Sequence, residues 1–510
     1  MSSTTANNKR IAKNTIALYF RMMITMAVSL YTSRVILEYL GVQDYGIYNA
    51  VGGFVMMLSY LNSSLSTGSS RFLTYELGTG NRERLHQVFS SVLTVHILFA
   101  LIILILGETI GLWFVYNKIN IPPDRIDAAI WCYHLSLLTC MMTITQAPYN
   151  ASIISHERMK LYAYTSIIDV MAKLLVVYML TLTSFDRLKV YAVLLFIVSI
   201  SMMIFYRWYC VRHFEETHYN FSYDKSIIKE VLSYSGWNVF ATTSVSLCTQ
   251  GVTVITNMFF NPGVVAARAI ANQVDHAARL FFTNFKTASN PQIVKSYAEG
   301  DYDRSKFLVF QTAKFGYFLM LMLGLPIILV AHPLLMGWLG QVPEYSVEYL
   351  QFAILTSLAA VFDTTFYTAL YAKGQIKENS FVSSLSFFIG FIVIFILFKL
   401  GFSPTWSAIV LFISQCVIAF IIKPIMLVKI VNYRLSEILL LFADCLKVTI
   451  IAIVVPVTLY VFKSIFPNQI IGSVILVIVS VLSVSFSSWF LGLDKGLRKK
   501  LISSIKNKLK

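Results

Sequence analysis

The chain has 510 residues, 57% of them hydrophobic and only 13% charged, and 41 Lys and Arg against 25 Asp and Glu leave a formal charge of +16. Soluble domains carry about one quarter charged residues, so this composition excludes a soluble enzyme, a disordered chain and a secreted disulfide scaffold. At roughly 20 residues per membrane helix, the apolar content supplies about fourteen spans.

In chain order, apolar windows between charged or Gly/Pro-marked breaks predict spans one to fourteen. They lie at 14–37, 44–69, 88–113, 128–150, 162–183, 190–210, 232–258, 264–289, 307–332, 347–371, 380–400, 404–424, 442–462 and 469–491. Arg21 and Arg34 interrupt the first window. A signal-peptide core does not carry such charges, so this window reads as an uncleaved span. The six cysteines lie in or beside apolar runs without C-x-x-C spacing and read as small hydrophobes. The loops are short on both sides, which leaves no room for an inserted soluble domain.

The basic residues sort by side. With Arg207 and Lys423 counted in the loops that their spans adjoin, the N-terminus, the loops after even-numbered spans and the C-terminal tail hold 27 Lys and Arg. The opposite loops hold six: Lys118, Arg125, Arg187, Lys189, Lys399 and Lys463. Such a bias predicts both termini in the cytoplasm. Most of the +16 therefore reports orientation and gives no case for a nucleic-acid partner.

The hydropathy rhythm repeats at a spacing of 220. Span three falls on span nine, span five on span eleven, and the loop beginning Gly80, Asn81, Arg82 falls on Gly300, Asp301, Tyr302. Six spans per copy is an even number, so the copies enter from the same side and are parallel. The predicted fold is an all-α polytopic membrane protein with two parallel six-helix lobes, 1–215 and 216–435. Two extra spans at 436–491 and a basic amphipathic tail at 492–510 follow. Leu497, Leu501, Ile505 and Leu509 recur every four residues in that tail. It reads as a helix on the anionic inner leaflet or as a solvated extension. Parallel repeats place a solute path between the lobes, with alternating access by rocking one lobe against the other.

Charged groups inside spans are costly and normally face a partner or a water-filled cavity. Span eight is the richest. Arg268, Asn272, Asp275, Arg279, Thr283, Lys286 and Asn290 fall within about 80° of arc, with His276 at the edge. They read either as a ladder welding two helices or as a cationic, water-lined wall. The excess of cations over Asp275 favours the wall. Span seven carries Asn238, Thr242 and further hydroxyl and amide residues on one face, which read equally as interhelical hydrogen bonds or cavity lining. Arg21 in span one is a cavity candidate, and Arg34 is expected to pair with Glu38. Asp169 and Lys173 have the favourable order for a helical ion pair. Asp363 in span ten has no cation one turn away, so it reads as an unpaired carboxylate suited to ion coupling. Glu108 and Lys314 are expected to snorkel, and His96 and His134 to make ordinary helix contacts. Asp301 and Asp303 have glycosyltransferase-like D-x-D spacing. They precede a span at a repeat position, and the helix-start reading is preferred.

The stretch carrying Arg34, Glu38, Gly41, Asp44, Gly46, Tyr48 and Asn49, with the Ser-rich run through Arg71, resembles the polysaccharide-export branch of the multidrug/oligosaccharidyl-lipid/polysaccharide (MOP) exporter superfamily. The layout of six, six and two spans fits that superfamily over the whole chain. The resemblance implies a MATE-like fold and a Wzx-type flippase. Such a protein moves an undecaprenyl-pyrophosphate-linked oligosaccharide across the bacterial inner membrane during O-antigen or capsule assembly. The expected partners are that lipid-linked oligosaccharide and other polysaccharide-assembly membrane proteins, with anionic inner-leaflet lipids expected from the basic tail. Related peptidoglycan-precursor flippases use arginines in spans one and eight for the pyrophosphate. Arg21, Arg268 and Arg279 occupy similar helices here.

The expected substrate-binding set is therefore Arg21, Arg268, Asn272, Arg279 and Lys286, with Asn238 and Thr242 toward the sugars. Asp275 and Asp363 are the expected ion-coupling groups, for H+ or Na+, and no metal, cofactor or catalytic residue is expected. Two other classes compete. A cation-coupled multidrug antiporter of the same superfamily needs an acidic cavity, and a membrane glycan polymerase or ligase needs a sizeable outer loop.

Overall fold

The computed structural model describes residues 23–55, 69, 72–73, 76–77, 80–156, 158–220, 250–375, 377–462 and 469–492. Among the described residues there is no strand, and ten helices are long and apolar enough to cross a membrane. Those ten coincide with spans three to six and nine to fourteen. Span eight is also a continuous helix, Pro262–Ala298, but its charged stripe keeps it outside the apolar set. The chain is a multi-pass, all-helical membrane protein. The C-terminal tail at 493–510 lies outside the described residues.

The chain divides into two compact units, Met1–Ala266 and Ala267–Lys510. Each contains the same series of helices. In the first unit Arg82–Leu106, Ile126–Ser155, Met159–Leu182 and Arg187–His213 begin at 82, 126, 159 and 187. In the second, Tyr302–Leu329, Ser346–Lys373, Lys377–Lys399 and Trp406–Val417 begin at 302, 346, 377 and 406, offsets of 220, 220, 218 and 219.

The turns before spans three and nine are built alike. Gly80 and Gly300 both adopt left-handed backbone, with φ of 74° and 81°. No atom crowds either position, so the requirement for glycine is conformational. The next residue caps the helix: the Asn81 side chain accepts from Arg84 N at 3.0 Å, and Asp301 accepts from Arg304 N at 3.1 Å. Asp301 is thus a helix start, as its repeat position predicted. Span eight begins by the same logic. Asn261 Oδ1 accepts from Val264 N at 3.2 Å and Pro262 takes the first helical position, where its missing N–H costs nothing.

Helices in lipid gain little from hydrophobic burial against each other, so close packing and polar contacts must hold them. In the second unit Phe362 is the centre of an aromatic cluster, with Tyr317, Phe442 and Phe420 rings at 5.1, 5.1 and 5.6 Å. In the first, Phe89 meets Tyr149 edge-on at 5.3 Å, and Cys210 Sγ donates to the Tyr149 carbonyl at 3.4 Å. Among the described residues no disulfide forms, and four of the five described cysteines are buried.

The stretch that carries the family resemblance has a structural explanation in the first unit. Arg125, at the start of span four, donates from Nε to Asp44 at 2.8 Å and from Nη1 to Asp186 at 2.7 Å. Asp186 in turn caps span six through the Leu188 and Lys189 N–H groups. One guanidinium therefore joins the starts of spans four and six to the 23–55 segment. Gly46 lies against Pro262: a Cβ there would come within 1.9 Å of the Pro262 carbonyl oxygen. Tyr48 meets Tyr191 edge-on at 5.0 Å, and Asn49 Nδ2 donates to the Tyr45 carbonyl at 2.7 Å. Arg34 and Glu38, expected to pair, are both exposed and form no ion pair among the described residues. Asp169 and Lys173 do pair, at 2.7 Å.

Two predictions follow from this corner. Gly46→Ala must displace backbone and should lower stability by about 1–3 kcal/mol, whereas Gly52→Ala, where a Cβ meets nothing within 4 Å, should be neutral or stabilising by roughly 0.5–1 kcal/mol. Thermal unfolding of the purified variants separates the two, and equal losses would refute the close-contact account. Burial works against the Asp186 charge, but the Arg125 hydrogen bond, the Lys189 and Leu188 N–H groups and the Arg125 charge together hold its carboxyl below its ordinary value. Its contribution is therefore complete at neutral pH, declines as pH falls through the ordinary carboxylate value, and disappears below the lowered one. Arg125→Gln should melt lower than wild type at pH 7, and the gap should narrow on acidification through that window; a gap independent of pH would refute it.

Candidate functional site

The structure splits the charged stripe of Pro262–Ala298 into two edges. Arg268 and Asp275 are buried, 5% and 7% exposed, whereas Asn272, His276, Arg279 and Thr283 are exposed and Lys286 is half-buried. The buried edge packs against polar residues of span ten. Ser357 Oγ donates to the Asp275 carboxylate, and Thr368 Oγ1 donates to Asn290 Oδ1 at 3.1 Å. Ser357, Thr364 and Thr368 lie within about 40° of arc on span ten, so helical periodicity alone presents them together. Arg279 Nη1 approaches Asp275 Oδ2 at 3.6 Å from one turn along the same helix, with 49% of its side chain exposed. The inner edge of the stripe thus joins helices, and its outer edge leaves Arg279, Asn272 and Thr283 exposed. Arg268 does not sit on that open edge, because burial beside span ten takes it away from the face.

Asp363 is not unpaired. Lys423 Nζ lies 2.9 Å from its Oδ1, and Gln415 Nε2 donates to Oδ2 at 3.1 Å. Lys423 also donates to Asn379 Oδ1 and lies 5.3 Å from the centre of the Tyr367 ring. Three spans converge here: ten with Asp363 and Tyr367, eleven with Asn379, and twelve with Gln415 and Lys423. Lys286 is within electrostatic range of both Asp363 and Lys423. The partner of Asp363 lies 60 residues away, beyond the reach of one-turn helical spacing. The signal was present, since Lys423 stands between Ile422 and Pro424 in a run that stays apolar to Val428. One residue from the predicted end of span twelve, Lys423 counts with the adjoining loop by position, yet it is buried.

Two other intramembrane groups differ from expectation for the same reason. Lys314 does not snorkel; it is 7% exposed and donates to Asp444 of span thirteen at 2.6 Å. Glu108 lies in a widened helical turn, Gly107–Gly111, and meets His134 of span four at 2.9 Å. His96 makes the expected helix contact, Nδ1 to the Val92 carbonyl at 2.9 Å. Arg21, Asn238 and Thr242 lie outside the described residues. Among the described residues, no group of three or more His, Cys, Asp or Glu is arranged to hold a metal ion.

Residues 238–396, which include the stripe and Asp363, match the MatE family model. No curated protein matches the chain. Several solved structures are similar in fold. An inward-facing multidrug resistance MATE family transporter of the MOP superfamily has a TM-score of 0.68 at 15% identity, covering 83% of this chain and 99% of its own. The lipid II flippase MurJ in an inward closed conformation has a TM-score of 0.71 at 12% identity, covering 93% of this chain and 98% of its own. A MOP superfamily transporter from Pyrococcus furiosus, described as having a binding pocket of reversed polarity, has a TM-score of 0.57 at 14% identity over 83% of this chain and 97% of its own. The polypeptide therefore has the MATE-type transporter fold, and the stretch that matches the MatE family model includes its charged stripe.

Proposed function

We propose that the protein is a flippase for a lipid-linked oligosaccharide, held through its diphosphate on the open edge of span eight. One observation carries the reading: both carboxylates of this region are compensated within the second unit, while a guanidinium remains half-exposed. Ser357 and Arg279 engage Asp275, and Lys423 and Gln415 engage Asp363. An organic cation would have to displace these partners, which favours an anionic cargo over the drug-antiporter alternative. Arg279 presents a planar fork suited to paired phosphate oxygens, and Lys286 adds a point charge two turns further along.

In this reading Arg279 exchanges the Asp275 carboxylate for the cargo's diphosphate, and Asp275 keeps its hydrogen bond from Ser357 meanwhile. Release on the far side returns Arg279 to Asp275, with proton or sodium entry at that carboxylate assisting. Exposed Asn272 and Thr283 offer hydrogen bonds to the first sugar, and Arg21, Asn238 and Thr242 complete the proposed binding set. The setting is the bacterial inner membrane, with both termini cytoplasmic. The implied partners are anionic inner-leaflet lipids and other polysaccharide-assembly membrane proteins.

Loss of one charge-assisted contact costs about 1.5–3 kcal/mol, so Arg279→Ala should reduce flipping roughly ten- to hundredfold and Lys286→Ala somewhat less. Arg279→Lys, which keeps charge but loses the fork, should fall between Arg279→Ala and wild type. The measurement is lipid-linked oligosaccharide accumulated in cells in which each variant replaces the wild type, normalised to protein level. Undiminished export by both alanine variants, or drug sensitivity without such accumulation, would overturn the proposal.

A further inference from the structure

The surroundings of Lys423 have the composition of a monovalent-cation site. A carboxylate oxygen of Asp363 lies at 2.9 Å, an amide oxygen of Asn379 accepts from the ammonium, and the Tyr367 ring centre is 5.3 Å away. The ammonium is covalently attached and 1% of its residue is exposed, so it does not exchange with solvent ions. Span twelve is shaped around it: widened helical turns at Ile418–Ile422 and Leu427–Val431 flank the short segment Lys423–Met426. Pro424 lacks the N–H that a regular ladder needs, which accounts for local rewinding. Single widened turns of this kind concentrate at functional positions.

We infer that Lys423 is a tethered counter-ion that occupies the cation position at Asp363, so that this site excludes sodium. A sodium ion at Asp363 needs the same carboxylate and amide oxygens that the ammonium holds, and a second cation beside it would be repelled at short range. Lys286, within electrostatic range of Asp363, is relieved of sole responsibility for neutralising it. Lys286 can then turn to another anion without leaving a bare carboxylate in the membrane. The inference goes beyond the proposed function and does not depend on the identity of the cargo.

The test uses the purified full-length protein in detergent and compares thermal unfolding in NaCl and in choline chloride at equal ionic strength. Any difference between the two salts in wild type should be unchanged by Asp363→Asn. Lys423→Met keeps most of the stem but vacates the cation position. It should melt lower in choline chloride and regain stability saturably with NaCl, and that response should disappear in Lys423→Met combined with Asp363→Asn. Because Lys423→Met alone could fail to fold, the double variant is also compared with Asp363→Asn alone, which it should exceed in melting temperature because neither charge is left bare. A sodium-specific stabilisation of wild type that Asp363→Asn removes would overturn the inference. So would a folded Lys423→Met without a sodium response, or a double variant no more stable than Asp363→Asn.

Discussion

An ionised side chain within a bilayer persists only where a partner of opposite charge and the remaining hydrogen bonds are supplied together, because no water is at hand to share the load. That constraint organises the second unit. Asp275 is met by Ser357 and Arg279, Asp363 by Lys423 and Gln415, and Lys314 by Asp444. Each group joins two helices or steadies one turn of a helix, so the polar contacts fix the rotation of spans eight, nine, ten, twelve and thirteen about their axes. Aromatic packing around Phe362 then fills the space those rotations leave. Removing one member of a buried pair would strand its partner, whereas removing both costs far less.

The first unit meets the same constraint at the ends of its helices. Arg125 serves two carboxylates, Asp44 and Asp186, and Asp186 also caps a helix. The stretch from Arg34 to Asn49 that carries the resemblance thus describes how helices are anchored and how closely Gly46 admits the Pro262 backbone. It reports fold. Cargo preference has to be argued from the side chains of span eight.

Much of this architecture was legible in the sequence because its signals are local or periodic. Hydropathy windows located ten spans, and the shared Gly–Asn and Gly–Asp turns marked equivalent starts in the two copies. The arc of polar residues on span eight was visible from helical spacing alone. What periodicity could not supply was partner identity across long separations. Asp363 read as solitary because its partner lies in another helix, and Lys314 read as a snorkelling lysine because Asp444 is 130 residues away. Nor could spacing say which edge of the arc is covered. That depends on where Ser357 and Thr368 come to rest, and the answer moved Arg268 to the interior and left Arg279 open.

The turn at Gly300 and Asp301 deserves reading as a mechanical joint. Asp301 N reaches back to the Ser296 carbonyl at 3.0 Å, while its side chain reaches forward to Arg304 N at 3.1 Å. A single residue is thereby clamped to the last turn of one rod and the first turn of the next. Torsion applied to the helix bearing Arg279 would pass through this clamp into the following rod with little slack. That rod holds Asp444 through Lys314, so the two terminal helices lie at the far end of one drive train.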